Sequence, residues 1–201
     1  MGYSHSWNNG LWVQNSMLDK KALETALKIF RIVENSDVFG QFIRIDEMAD
    51  PDEWSGMQDR GTEIFLNGYS SSDGKIDLGH EPIYFSIDEP RGGSLFCKTN
   101  RKPYDLSVTV TLALLEMAGV INNTDSDSGV KNLSRNWKEA IAYSVEECLR
   151  GFKSNPDCKK LGYKFPTVEE AHRAFEKVQT EASEYLLSQR EPNLAPEHEW
   201  F

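Results

Sequence analysis

Residues 105–118, DLSVTVTLALLEMA, carry only Asp105 and Glu116 as charges. Leu106, Val110, Ala113 and Met117 share one helical face, while Val108, Leu112 and Leu115 share another. The first half also alternates as a strand would, but the length favours a helix, with Gly119 as its stop. A helix that is apolar all round belongs at the centre of a fold. The rest of the chain is therefore expected to wrap around it.

The flanking segments supply that wrapping. MGYSHSW alternates weakly and predicts a first strand with Tyr3 and His5 on one face. Residues 17–35 read as an amphipathic helix through Leu23, Ala26, Leu27, Phe30 and Val33, with Ser16 and Asp19 as a capping-box pair. FIRI (42–45), residues 62–68, 81–88 and 94–99 read as strands, and the acidic stretch 46–59 as a loop. The tight EPRGG connection predicts that the strands on either side of it are antiparallel neighbours. NNTDSDSG (122–129) reads as a flexible loop. Beyond it, residues 134–152 form a helix with Trp137, Ile141, Val145, Cys148 and Phe152 inward, and 168–189 another, capped by Thr167 with Glu170. The expected class is α+β: a small antiparallel sheet on a central apolar helix, with a helical C-terminal portion. The expected organisation is a domain over 1–121, a helical portion over 130–189 packing on it, even as part of the same domain, and a mobile tail over 190–201.

Charge narrows the function classes. A formal net charge of −10 opposes general binding to nucleic acid or to an anionic membrane. The cysteines, Cys97, Cys148 and Cys158, are odd in number and form no CxxC pair. That spacing argues against a disulfide framework or zinc site, and for reduced thiols in the cytoplasm. No apolar run is long enough to span a bilayer, and the N-terminus has no signal-peptide core. It does match the short myristoylation pattern M-G-x-x-x-S, for which bulky Tyr3 is a poor fit. NTDSDSG departs from a calcium loop, because its glycine comes one position late and its twelfth position is Ser134. The P-loop, zincin and serine-hydrolase motifs are absent, and no metal or cofactor is expected.

One window stands against the acidity of the chain. From Pro90 to Tyr104 there are Arg91, Lys98, Arg101 and Lys102 and no acid. This window leads into the start of the apolar helix, where Asp105 is placed to serve as N-cap. Cations at a helix N-terminus oppose its dipole, so three readings stand: partner carboxylates relieve them, a bound anion does, or they remain solvated and unpaired. Cys97 precedes Lys98, but alternation sets the two on opposite faces, and a buried structural thiol is the ordinary role.

The segments MGYSHSW and FCKTNRKPYD, followed by VTVTLALL, resemble a family of uncharacterised bacterial and phage proteins. Members share an M-G-Y-[ST]-H-x-W start and an F-C-K-T-x-R-K-P-Y-D segment. The resemblance covers about residues 1–120 and implies that His5, Lys98, Arg101, Lys102, Tyr104 and Asp105 belong to one site. It implies no particular chemistry.

From the residues, the leading expectation is a small anionic ligand, phosphate- or nucleotide-like, held by this window. The resemblance to phage proteins, and not the residues, adds the expectation that such a ligand serves to sequester a host signal or block a host defence protein. One alternative is an enzyme on a phosphorylated or nucleotide substrate, with His5 or Asp105 as acid or base. Glu63 is the one further carboxylate offered for it. The other is an acidic interaction module, a nucleic-acid mimic or a surface docking on a basic partner.

Overall fold

The computed structural model describes residues 3–9, 13–14, 17–44, 51, 53–88, 93, 95–160 and 162–189. In chain order these form β1 (Ser4–Asn9), β2 (Val13–Gln14), β3 (Met17–Leu18), α1 (Lys20–Glu34), a 3-10 turn (Gly40–Phe42), β4 (Met57–Asp59), β5 (Glu63–Leu66), β6 (Ile83–Ser86) and β7 (Phe96–Lys98). There follow α2 (Asp105–Met117), β8 (Ile121–Ser126), α3 (Trp137–Ser154), α4 (Pro156–Lys160) and α5 (Val168–Ser188). The class is α+β. Its strands make two antiparallel three-stranded sheets, ordered β7-β1-β8 and β4-β5-β6, and the short hairpin β2-β3.

The central helix is α2. Every residue from Asp105 to Leu115 is buried. It packs against α1, α3, α5 and β8. Gly119 ends it at φ 75°, a left-handed conformation that glycine takes without a Cβ penalty. A single hydrophobic cluster runs from Trp7 through α1 and α2 to Phe175 and Ala182 on α5. The C-terminal helices thus share the core of the first half of the chain. Trp137 stacks on Phe175 at 4.4 Å, joining α3 to α5.

Several sequence expectations shift. Helix α1 is capped by Asp19 itself, whose side chain accepts from the Ala22 backbone N–H; Ser16 lies outside the described residues. The Thr167–Glu170 capping box on α5 forms as expected. Over its described residues FIRI is not a strand: Phe42 ends the 3-10 turn, and the backbone N–H groups of Ile43 and Arg44 both donate to the Gly40 carbonyl rather than to a neighbouring strand; Ile45 lies outside the described residues. Residues 57–59 of the expected acidic loop form β4. The expected strands 81–88 and 94–99 form as β6 and β7, but they are not paired with each other. β6 pairs with β5, and β7 with β1. The expected tail, 190–201, lies outside the described residues.

The polar stretch 122–129 is not a free loop. Its first part is β8, antiparallel to β1 with a register shift between Ser6 and Asn8. Its polarity is satisfied from inside: the Glu116 carboxylate accepts from the Thr124 N–H, the Thr124 hydroxyl and the Ser134 N–H at 3.0, 3.0 and 2.8 Å. Limited proteolysis is therefore expected to spare residues 121–134. Early cleavage there would show that β8 does not hold its place against β1.

Candidate functional site

Strand β1 carries His5 to the middle of its sheet, in register with Cys97 on one side and Ser126 on the other. His5 and Tyr3 share the buried face, as alternation predicts, and their rings meet edge to face at 5.1 Å. Tyr3 also stacks on Tyr143 of α3 at 5.7 Å, and burial pushes its phenol pKa well up.

Asp105 does not cap α2. It is the first helical residue, and its carboxylate turns inward, completely buried. The Nε2–H of His5 donates to Oδ1 at 2.8 Å, and the Thr99 hydroxyl donates to the same oxygen. On Oδ2 it accepts from the Ser144 hydroxyl at 2.7 Å and meets the Cys148 thiol at 3.6 Å. Four donors match the roughly four acceptor sites of an ionised carboxylate. Burial pushes the Asp105 pKa up. The charge of His5 and the hydrogen bonds from His5, Thr99 and Ser144 outweigh it and hold the carboxyl below its usual range. This acid ties β1, the basic loop, α2 and α3 at one point. His5 Nδ1 is left without a partner among the described residues.

The other candidates divide around this hub. Tyr104 is buried, and its hydroxyl donates to the carbonyls of Glu81 and Lys98 at 2.9 and 3.3 Å. Cys97 is buried too, its thiol donating to the Glu81 carbonyl, and burial raises its pKa away from thiolate chemistry. Lys98 points outward, 3.8 Å from Glu81. Arg101 meets Glu147 of α3 at 3.2 Å, and Lys102 meets Asp77 at 2.8 Å. All three cations thus have carboxylate neighbours. His5 and Asp105 lie against the loop but are sealed from solvent, so a substrate would not touch either one in this conformation.

Arg101 and Lys102 line an open cleft of about 740 Å³ between the loop, α3 and α4. Its walls include Asp77, Asn100, Glu147, Arg150, Gly151, Asn155 and Asp157. Lys98 is not among them. The loop backbone here is unusual: Asn100 and Arg101 are consecutive left-handed residues, at φ 52° and 59°. Neither is glycine, and such conformations cost of order 1–3 kcal/mol each. Gly151 presses α3 against this turn so closely that a Cβ there would sit 2.6 Å from the Arg101 carbonyl oxygen. Glu147 spans two cations, Arg101 and, at 3.7 Å, Arg150. Its Oε2 contact with Arg101 lacks hydrogen-bond alignment, so that oxygen keeps an unmet acceptor.

No protein-family model, curated protein or solved structure matches this chain. The site is thus characterised by its own geometry. Glu147, Arg150, Gly151 and Asn155 lie some fifty residues past the basic window and carry no motif. The one signal for them is Gly151, an isolated glycine inside a helical pattern, which marks a packing or functional constraint. Among the described residues, no group of three or more His, Cys, Asp or Glu is arranged to hold a metal ion, and no helix is long and apolar enough to cross a membrane.

Proposed function

We propose that the protein binds a small phosphate- or nucleotide-like ligand in the cleft between the basic loop and α3–α4. The observation that carries this reading is the left-handed Asn100–Arg101 turn, locked by Gly151, which holds Arg101 at the cleft wall. Strain of this kind persists only where the surroundings impose it, and it concentrates at ligand clamps. The wall carries three cations, Arg101, Lys102 and Arg150, against three acids, Asp77, Glu147 and Asp157. The cleft is therefore neutral within a chain of net −10, and admits an anion that most of the surface repels. A phosphate takes the fork of Arg101 in place of Glu147, and the spare Glu147 oxygen accepts from an N–H or O–H elsewhere on the ligand. That the two sequence motifs meet at Asp105 supports treating them as one unit. The same reading places the protein in the cytoplasm, where three free, buried thiols stay reduced.

Arg101→Gly tests this. Glycine relieves the left-handed strain and removes only a half-exposed cation, so the melting temperature is expected to hold or rise. Losing a charge-assisted phosphate contact of about 1.5–3 kcal/mol should weaken binding about tenfold or more. Calorimetry with inorganic phosphate, AMP and ATP on both proteins reads the difference. Wild type that binds none of the three at millimolar concentration, or a variant that binds equally well, overturns the reading.

A further inference from the structure

A second surface, sharing no lining residue with the cleft, has the composition of a docking site. Trp54 and Phe96 are 42% and 53% exposed, two of the three large exposed hydrophobic side chains among the described residues. With Pro82, Tyr84 and Glu81 they line an apolar groove of about 380 Å³. Exposed aromatics in one patch mark an interaction surface more often than scattered ones do.

The groove already shows what its rings accept. The Arg60 guanidinium lies 4.7 Å from the Trp54 ring centroid, and the Lys98 ammonium 5.8 Å from that of Phe96. Both are cation–π distances. Each carboxylate beside them keeps one loosely engaged oxygen, although Glu81 Oε2 accepts from the Lys98 backbone N–H at 3.1 Å. Glu53 Oε1 meets Arg60 at 3.9 Å and Glu81 Oε1 meets Lys98 at 3.8 Å, too long for hydrogen bonds. These oxygens can take further donors. Around the groove and on the adjoining β4–β5 hairpin, Glu53, Asp59, Glu63 and Glu81 outnumber Arg60 and Lys98.

We infer that this groove docks a basic segment of another protein, whose Arg or Lys side chains stack on Trp54 and Phe96 and bond to Glu53 and Glu81. Charge complementarity selects this occupant. A second copy would bring another −10 chain and another acidic rim, and a nucleic acid would bring phosphates. A basic partner is also steered toward an acidic protein at long range.

The test uses the full chain and labelled twelve-residue peptides of alternating Arg–Leu, alternating Glu–Leu, and an uncharged proline-rich sequence, read by fluorescence anisotropy. The Arg–Leu peptide should bind saturably. Phe96→Ser and Glu53→Gln, both at exposed positions, should each weaken it, the former at least tenfold. Leu187→Ser, at the other exposed hydrophobic, should leave it unchanged while all melting temperatures match. Equal binding by wild type and Phe96→Ser would mean diffuse charge attraction and overturn the proposal. So would preference for the proline-rich or Glu–Leu peptide, no binding of any peptide, or a wild-type dimer in sedimentation that Phe96→Ser dissolves.

Discussion

Asp105→Ala is expected to lower the unfolding free energy by about 3–5 kcal/mol, the usual cost of removing one partner from a buried charged cluster. The side chain is wholly buried, and its loss strands the His5 Nε2–H and the hydroxyls of Thr99 and Ser144 together. Asp105→Asn should cost less, since hydroxyls can rotate to accept from an amide. The same residue predicts a pH effect. Its carboxyl is held below the ordinary Asp value in the folded state. Its contribution is thus present above the unfolded pKa of about 3.9 and disappears as pH falls through the lower folded one. Wild-type stability should fall on the acid side, and the difference from Asp105→Asn should shrink below about pH 4. Urea denaturation from pH 7 down to pH 3 measures both. A variant that unfolds at the wild-type midpoint throughout would show that the hub contributes nothing.

Gly151→Ala gives the second large effect, and its sign is diagnostic. Helix propensity alone predicts a gain of about 0.5–1 kcal/mol on replacing glycine inside α3. The structure predicts the reverse, because the new Cβ would lie 2.6 Å from the Arg101 carbonyl oxygen, a backbone atom that cannot swing aside. Overpacking of this kind costs about 1–3 kcal/mol, or displaces the loop. Displacing it also moves Arg101, so phosphate binding should weaken although Gly151 has no side chain to offer a ligand. A stabilised Gly151→Ala protein with unchanged binding would show that α3 does not lock the loop.

The parts legible in the sequence were those governed by short-range periodicity. Helices α1, α2 and α5 follow from apolar spacing and Gly119, and the inward face of β1 follows from alternation through Tyr3 and His5. What stayed illegible depends on distant partners. Asp105 has the right type and place for a cap, and nothing local reveals that His5, a hundred residues earlier, and Ser144, thirty-nine later, draw it inward. β8 is polar enough to read as a loop, because its inward Thr124 is satisfied by Glu116 rather than by apolar packing. The separation of β6 from β7 is equally invisible, since β7 is claimed by β1 from the far end of the chain. The basic window was visible as a charge anomaly; the acids that answer it, Asp77, Glu81 and Glu147, are scattered on both sides of it.

The position of β1 has a consequence for how the molecule is made. It is the middle strand of its sheet, yet its partners β7 and β8 lie roughly 90 and 120 residues further along the chain. At about 5–20 residues per second, the ribosome takes roughly 6–24 s to pass from β1 to β8. Until β7 emerges β1 has two open edges, and until β8 emerges it still has one, while Trp7 has no finished core to enter and α1 can already form from local contacts. Aggregation during synthesis is then expected to follow the waiting time of β1, and slower translation to lower the yield of native protein even though the completed fold is unchanged.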